Sequence, residues 1–229
     1  MSEIDIVITS YFRPDFTLEC LNRIEDYTEM FHRVIVVDNG SSQQTRDMLW
    51  DAKDSMLLDV LVLLDRNYGL EPAKNIGLSL VRSDLYIDMD NDIYVNEGWV
   101  EKLLALKEKY PEYAAIAAHP QTFVGDDINL LLKDTNEIRE YSKCGASARL
   151  MDTKLVKEVG GWRNEGELKT LTRGEEYYIC GKLKEKGHKV GYARDVAIQH
   201  DFGDSNWGYG KEEHYHSAVW PQPSNKLYG

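Results

Sequence analysis

The first half of the chain alternates short apolar runs with amphipathic segments, and this alternation constrains the fold more than any other feature. The apolar runs are rich in Ile, Val and Leu and predict strands over 4–9, 34–37, 57–64 and 85–89. The segments between them predict helices that begin at Pro14, near Gln44, at Pro72 and at Gly98. Strands and helices alternating at this spacing predict an α/β fold whose mostly parallel sheet is covered on both faces.

The second half is less regular. The pattern predicts strands over 114–118, 146–150, 190–193 and 196–198, a turn at 160–162 and a helix over 175–186. Gly187 suits the position just after that helix. The residues after His200 are aromatic and glycine-rich and contain proline, so we expect a tail or lid there and not a second domain.

Composition excludes several classes of protein. Apolar residues make up 42% of the chain, which is enough for a core and excludes a disordered protein. The 27 basic and 39 acidic residues give a net charge of −12, so nucleic acid is not an expected partner. The three cysteines lie far apart without a C-x-x-C pair, which argues against a disulfide framework and for a reducing compartment.

The sequence also shows no segment typical of a targeting signal. The start of the chain has no signal-peptide core, and the most apolar stretch, 56–64, is short and interrupted by Asp59. We therefore expect a soluble, cytoplasmic protein without membrane insertion; the sequence does not indicate its oligomeric state.

Polar residues follow each of the four predicted parallel strands. These strand ends are 9–11, 38–40, 66–69 and 90–92. In open α/β sheets, ligands bind beyond the carboxyl ends of the strands. We therefore expect the functional site at this edge.

Asp90 and Asp92 stand out among these residues. In an extended segment, residues two apart point to the same side. Paired carboxylates suit a hard divalent cation such as Mg²⁺ or Mn²⁺, although a short Asp-x-Asp pattern is equally found in solvated turns.

Several short motifs occur in a fixed order. They are Thr9-Ser10-Tyr11 with Arg13, residues 36–41, Asn67-Tyr68-Gly69, residues 74–77, Asp90-Asn91-Asp92, residues 98–101, Gly160-Gly161-Trp162, Gly174-Glu175-Glu176 and His200. This ordered set resembles the inverting glycosyltransferases of family 2, which have the GT-A fold. The resemblance extends over roughly residues 4 to 203.

The resemblance implies a fold and an activity. The fold would be a Rossmann-like, mostly parallel sheet with helices on both faces and a smaller acceptor-side subregion. A sugar would pass from a nucleoside-diphosphate sugar to a glycan or another hydroxyl-bearing acceptor, with a divalent cation, Mn²⁺ or Mg²⁺, as cofactor. Within a single domain of residues 1–229, residues 1–110 would bind the nucleotide sugar, 111–203 would carry the acceptor side and catalysis, and 204–229 would form the tail or lid.

It also implies roles for individual residues. The donor nucleotide would be held by Thr9, Ser10, Tyr11, Arg13, Asp38, Asn67, Gly69, Lys74, Asn75 and Asp90. The metal site would comprise Asp90, Asp92 and His200. Glu176 would be the catalytic base in place of the family's Asp, with Glu175 as the other possibility, and Trp162 and Trp207 would contact the acceptor.

Each of these residues also has a purely structural interpretation. Asp38 lies in an Asp-Asn-Gly sequence that forms turns without any ligand. Lys74 could be a surface lysine, and His200 could be structural. Glu175 and Glu176 open a helix, where the dipole favours ionised carboxylates; that environment also suits a general base. His214 and His216 in the tail point to a surface or lid role more than to a metal site.

Two other functions are compatible with the sequence. A non-catalytic nucleotide- or carbohydrate-binding module would need Asp38 and the aromatic residues but not both a metal pair and a base. A sugar nucleotidylyltransferase would share the sheet and the metal chemistry, but it usually has a glycine-rich basic loop after the first strand. Residues 9–14 contain no glycine.

Overall fold

The computed structural model describes residues 3–120, 131–145, 148–163 and 174–200. Its first half alternates strands and helices as the sequence predicts: β1 (Ile4–Ser10), α1 (Pro14–Tyr27), β2 (His32–Asp38), α2 (Gln43–Asp54), β3 (Val60–Leu63), α3 (Leu70–Leu80) and β4 (Leu85–Asp90). The order continues with β5 (Ile93–Tyr94), α4 (Trp99–Lys109), β6 (Tyr113–Pro120), β7 (Leu131–Asp134), β8 (Ile138–Tyr141), β9 (Arg149–Asp152), α5 (Thr153–Glu158), α6 (Gly174–Glu185) and β10 (Lys189–His200).

Helix α1 shows how local sequence sets an element. Pro14 occupies the first turn, where its fixed φ suits the helix and its missing N–H costs nothing. Thr17, Cys20, Leu21 and Ile24 follow at helical spacing and are buried. This face packs on the sheet.

The strands form one mixed sheet in the order β3-β2-β1-β4-β9-β6-β10-β8-β7, with β5 paired to β10. Strands β3, β2, β1 and β4 are mutually parallel, which confirms the predicted parallel core. Strand β9 runs antiparallel between β4 and β6, while β6 and β10 are parallel.

Helices cover both faces of the sheet because strand side chains alternate. In β1, Ile4, Ile6 and Ile8 pack into a core that also receives α1, α2 and α4. Val7 points the other way into a second core, which receives α3, α5 and α6. The α/β class with both faces covered is confirmed.

The second half departs from the predicted elements. The two strands predicted over 190–193 and 196–198 are one strand, β10, whose pairing with β6 is irregular between Tyr192 and Ala197. The strand predicted over 146–150 begins at Arg149 and continues to Asp152. Strands β5, β7 and β8 and helix α5 have no counterpart in the prediction, because short segments give weak periodic signals.

Two further observations concern the described residues. None of their helices is long and apolar enough to cross a membrane. The three cysteines are buried free thiols.

Candidate functional site

The carboxyl ends of β1, β2 and β4 meet at one edge of the sheet. Parallel pairing places Ser10 opposite Asp38 and Thr9 opposite Asp90. The predicted strand-end residues are therefore neighbours in space, because the carboxyl ends of parallel strands share an edge.

Asp92 lies at the centre of a small charged cluster at this edge. Its Oδ2 accepts a hydrogen bond of 2.6 Å from Arg13, and its Oδ1 lies 3.2 Å from His200 Nε2. The short pairing of β5 with β10 sets Ile93 opposite His200, which brings the histidine to Asp92 across more than a hundred residues of sequence. Burial alone would lower the pKa of His200, but the hydrogen bond and charge of Asp92 raise it overall.

Asp90 is the more open carboxylate, with 38% of its side chain exposed. Desolvation raises the pKa of Asp90 to about 6, and the charges of Asp92 and Asp88 add to the effect while Lys74 opposes it. The surroundings of Asp90 therefore disfavour its ionised form, chiefly through desolvation.

The donor chemistry of Asp90, Asp92 and His200 fits a divalent cation, since carboxylates and imidazole both ligate Mn²⁺. Desolvation and the neighbouring carboxylates raise the Asp90 pKa, and a bound cation would favour the ionised carboxylate. Within the described ranges, however, three or more His, Cys, Asp and Glu side chains do not form a preassembled metal-binding group. In this structure Asp92 is occupied by Arg13 and His200 instead.

The turn that carries Arg13 has an unusual backbone. Phe12 and Arg13 have φ values of 53° and 58°, the left-handed region that is uncommon for residues other than glycine. The Arg13 guanidinium lies 4.0 Å from the centre of the Phe16 ring. Such conformations cost free energy, and they concentrate at functional sites.

Two buried hydroxyl groups lie beside this cluster. Thr9 and Ser10 are both buried, and within the described part of the chain neither Thr9 Oγ1 nor Ser10 Oγ has a hydrogen-bond partner. A buried polar group without a partner costs free energy, so each hydroxyl is a candidate ligand contact.

A network of amides shapes the neighbouring end of β2. The Asn39 side chain donates to Asn67 Oδ1 and to the Gly69 carbonyl, both at 3.0 Å. Tyr11 also lies here: burial raises its pKa, a hydrogen bond with Asn67 opposes the rise, and the charge of Asp38 adds to it. Gly40 has a φ of 82°, and a β-carbon there would lie 2.2 Å from the Arg66 carbonyl carbon, so this turn requires glycine.

Asp38 is fully buried beneath this network. Its carboxylate accepts hydrogen bonds from the backbone and hydroxyl of Ser41, and Arg46 lies 3.8 Å away. Burial raises the pKa of Asp38, and Ser41 and Arg46 oppose the rise. Asp38 therefore stabilises the turn, as the structural interpretation of the sequence predicts. Contact between Asp38 and a nucleotide base stays a prediction.

Lys74 and Asn75 face the interior. Lys74 Nζ lies 2.8 and 2.9 Å from the Asp88 oxygens and 3.7 Å from Asp90 Oδ1, so it is not a surface lysine. Asn75 exchanges two hydrogen bonds of 2.8 Å with the backbone of Trp162.

Trp162 is buried against two cations of the interior. Only 1% of this residue is exposed, and its indole lies 4.8 Å from Lys74 Nζ and 4.7 Å from the Arg149 guanidinium. The Asn75 clamp turns the indole inward, and a β-carbon at Gly161 would lie 2.4 Å from Asn75 Oδ1. A buried indole has no face open for stacking on a sugar, and contact between Trp162 and the acceptor stays a prediction.

Glu176 lies in the first turn of α6. Its Oε2 is 3.1 Å from Lys143 Nζ, and Lys143 lies 4.4 Å from the centre of the Tyr177 ring. The Tyr177 side chain is 48% exposed, so a large aromatic face is open beside the candidate base. Lys143 and Tyr177 were missed because neither belongs to a motif; proximity to Glu176 is what singles them out.

Some predicted residues lie outside the described structure. These are the Glu175 side chain, Trp207, and the tail residues His214 and His216. Their predicted roles stay predictions.

Residues 5–156 match the model of the family described as "Glycosyl transferase family 2", which is more than half of the chain. The chain belongs to glycosyl transferase family 2. The predicted resemblance is thereby confirmed.

Curated relatives carry glycosyltransferase names. The chain is 30% identical over 107 residues to the undecaprenyl-phosphate 4-deoxy-4-formamido-L-arabinose transferase of Enterobacter sp. strain 638, covering 45% of this chain and 33% of that protein. It is 22% identical over 210 residues to the glycosyltransferase AglE of Haloferax volcanii, covering 84% of this chain and 65% of AglE.

Solved structures of other proteins share the fold. The mannosyltransferase PcManGT of Pyrobaculum calidifontis, solved with GDP-Man and Mn²⁺, superposes with a TM-score of 0.72 at 14% identity, over 89% of this chain and 58% of that one. TarS 1–349 of S. aureus, solved with UDP-GlcNAc, has a TM-score of 0.66 at 16% identity, over 86% and 57%. The GT-A fold predicted from the sequence is confirmed.

This glycosyltransferase-family chain is shorter than its relatives. It spans about a third to two thirds of the length of the two curated relatives named above. Fold and family are therefore shared, while activity and substrates have to be argued from the site.

Proposed function

We propose that this chain transfers a sugar from a nucleoside-diphosphate sugar to an acceptor hydroxyl, with a divalent cation and with inversion at the anomeric carbon. The observation that carries the proposal is the meeting of Asp90, Asp92 and His200 at the carboxyl edge of a family 2 sheet, beside the unsatisfied hydroxyls of Thr9 and Ser10. Neighbours of the same fold were solved with GDP-Man and Mn²⁺ and with UDP-GlcNAc.

The donor nucleotide would occupy the ends of β1 and β2. The buried hydroxyls of Thr9 and Ser10 lack partners among the described residues, and hydrogen bonds to a ligand would satisfy them. Tyr11 and Asn67 line the neighbouring amide network, which offers donors and acceptors to a base or ribose. Asp38 would either hold the turn beside the nucleotide or accept a hydrogen bond from the nucleotide base directly.

The diphosphate end would lie toward Asp90, Asp92 and His200. When bound, a divalent cation supplies positive charge that stabilises the leaving nucleoside diphosphate. Asp90 and Asp92 would hold the cation, with His200 beside them. Arg13 pairs with Asp92 in this structure. Because a guanidinium also binds phosphate well, Arg13 would contact the diphosphate when the donor is bound.

Glu176 would accept the proton of the attacking hydroxyl. The Lys143 ammonium lies 3.1 Å from Oε2 and fixes that oxygen by a hydrogen bond. Oε1 faces Gly145, where a β-carbon would lie only 3.1 Å away. A positioned, ionised carboxylate is what a general base requires, and direct displacement by the acceptor inverts the anomeric carbon without a covalent intermediate.

Hydrolysis of the donor by water tests the proposal without knowledge of the acceptor. Purified chain is incubated with UDP-GlcNAc, UDP-Glc or GDP-Man, with Mn²⁺ or with EDTA, and the released UDP or GDP is quantified. We expect release from one donor class, dependent on Mn²⁺, and its loss in Asp92→Ala. Asp59→Ala, at the opposite edge of the sheet, is the matched control and should retain release.

The outcomes separate the candidate functions. Release of nucleoside diphosphate that persists in EDTA would contradict the metal role. Nucleotide binding without any release, even with a panel of acceptors, would favour a binding module. Release of a nucleoside triphosphate and a sugar 1-phosphate when pyrophosphate is supplied would favour a nucleotidylyltransferase.

A further inference from the structure

Three charged side chains are buried together behind the candidate site. Lys74, Asp88 and Arg149 are each at most 1% exposed. Lys74 Nζ contacts both Asp88 oxygens, and Arg149 donates a hydrogen bond of 2.7 Å to Asp88 Oδ2. We call these three residues the buried triad.

The fold brings the triad together from three elements. Strand β9 runs antiparallel to β4, and its register sets Arg149 directly opposite Asp88. Lys74 comes from α3, which packs on the parallel strands. Asp88 lies two residues before Asp90, and it shares the strand from which the candidate metal pair extends.

The triad is not neutral by itself. It contains two cations and one carboxylate, so its positive charge extends toward the neighbouring carboxylates. The next carboxylate is Asp90, whose Oδ1 lies 3.7 Å from Lys74 Nζ. The indole of Trp162 lies against both cations. Lys74 therefore links the triad to a residue of the candidate metal site.

Arg149 also reaches the acceptor side. Its Nη1 donates a hydrogen bond of 2.6 Å to the carbonyl of Cys144. Cys144 adjoins Lys143, the partner of Glu176, and Gly145, which faces the other Glu176 oxygen. A single guanidinium thus joins the strand that carries Asp90 to the segment that holds the candidate base.

A second buried arginine shows what a purely structural pair looks like in this protein. At the opposite end of the sheet, Arg33 donates to Asp5 at 2.6 Å and to the Leu80 carbonyl at 2.8 Å. Like Arg149, it bridges a strand carboxylate and a backbone carbonyl. Unlike Arg149, it has no second cation beside it and no link to a candidate site residue among the described residues.

We infer that Lys74, Asp88 and Arg149 form a positioning unit: Arg149 fixes Asp88, Asp88 holds Lys74, and Lys74 sets Asp90 for the cation, while Arg149 anchors the segment beside Glu176. The inference rests on the proposed function. It assigns Lys74 to supporting Asp90 from behind, and it adds Asp88 and Arg149, which no motif indicated.

The test compares Arg149→Lys with Arg33→Lys. Lysine replaces the fixed guanidinium fork with one ammonium whose donors diverge from a single atom, so both variants weaken the same two kinds of contact, to a carboxylate and to a carbonyl. Mn²⁺ binding is measured by the loss of the free Mn²⁺ EPR signal, with UDP and then GDP present, and unfolding temperatures are recorded for both variants.

We expect both variants to unfold at lower temperature than the original protein. Mn²⁺ affinity should fall about tenfold in Arg149→Lys, the loss typical of residues that support metal ligands. It should stay within about twofold in Arg33→Lys, as for a change remote from the site. Equal Mn²⁺ affinity in the two variants would overturn the inference.

A second variant covers the case in which Arg149→Lys does not fold. The double substitution Asp88→Leu with Arg149→Met removes the ion pair in favour of apolar side chains, which is often tolerated. Lys74 then loses its Asp88 partner and is left with Asp90, where it competes with the cation, so Mn²⁺ affinity should again fall about tenfold. Unchanged affinity in this folded variant would also overturn the inference.

Failure of the inference is distinct from failure of the proposed function. If the unsubstituted chain binds no Mn²⁺ in the presence of UDP or GDP, the metal-dependent function is wrong, and the positioning unit has no site to support. If the unsubstituted chain binds and both triad variants bind as Arg33→Lys does, only the positioning role is wrong.

Discussion

At the amino end of the parallel strands, the carboxylate of Asp5 accepts hydrogen bonds from Arg33, from two backbone N–H groups at Arg82 and Ser83, and from the Ser83 hydroxyl. At the carboxyl end, Asp90 has 38% of its side chain exposed and shares one edge with Asp88 and Asp92. The same sheet thus surrounds a carboxylate with donors at one end and leaves another carboxylate partly open at the other end.

The direction of the pKa shifts expresses this difference. Burial alone would raise the pKa of Asp5, but Arg33 and the other donors lower it below its usual value. Desolvation and its acidic neighbours raise the pKa of Asp90 to about 6. A carboxyl with a lowered pKa stabilises the folded state near neutral pH, and one with a raised pKa destabilises it. Asp5 at the amino end therefore increases the free energy of unfolding near neutral pH. Asp90 at the carboxyl end decreases it, and a ligand that favours the ionised carboxylate would restore the loss.

The largest effect that we predict is on turnover at the carboxyl end. Glu176→Gln should lower donor turnover by about 10²–10⁴-fold, because the amide cannot accept the proton. Its oxygen can still accept a hydrogen bond from Lys143, so nucleotide binding should be unchanged. Steady-state kinetics and calorimetric titration measure the two quantities. Glu185→Gln, near the end of the same helix, is the control, and full activity in Glu176→Gln would show that another residue is the base.

A large effect on stability is predicted at the amino end. Asp5→Asn leaves Arg33 without its buried counter-charge and should cost about 3 kcal/mol of unfolding free energy. Urea unfolding measures the loss. Nucleotide affinity of the folded variant should not change, since Asp5 lies at the edge opposite the candidate site. A large loss of nucleotide affinity would contradict the view that the amino end affects stability and not nucleotide binding.

The smallest effect has the opposite sign. Asp90→Asn removes a carboxyl whose folded pKa, about 6, lies above its unfolded value of 3.8. As pH rises through this window, the original protein loses stability that the variant keeps. After discounting for solvent screening of the partly exposed group, we expect the variant to be more stable at pH 7 by about 1 kcal/mol.

Thermal unfolding at two pH values checks this prediction. The variant should melt about 2–4 °C higher at pH 7, and the difference should largely vanish near pH 4. Asp92→Asn sharpens the result, because that carboxylate is paired with Arg13 and its removal should not stabilise the protein. A lower melting temperature for Asp90→Asn at pH 7 would contradict the account of charge at this end.

The carboxyl edge was predictable because it depends on a general property of parallel sheets. Ser10, Asp38 and Asp90 end strands that are adjacent in the sheet, so their meeting follows once the parallel strands are identified. The strand signal came from apolar runs that are independent of distant contacts.

Contacts between distant segments were not predictable from local pattern. Trp162 is turned inward by Asn75, which lies 87 residues earlier in the chain. The pairing of Arg149 with Asp88 requires β9 to insert antiparallel beside β4, and neither residue shows this by itself. The sequence pattern predicts two strands in place of β10 because Arg194 and Asp195 interrupt its apolar residues. The interruption coincides with the irregular pairing of β10 with β6.

Calorimetric titration of the chain with UDP and GDP, each with Mn²⁺ and with EDTA, tests the central claim most directly. The account predicts that one of the two nucleotides binds in Mn²⁺, that EDTA abolishes or strongly weakens this binding, and that Asp92→Ala abolishes it while Asp59→Ala does not. Absence of binding under every condition, or binding that is equally tight in EDTA and in Asp92→Ala, would contradict it.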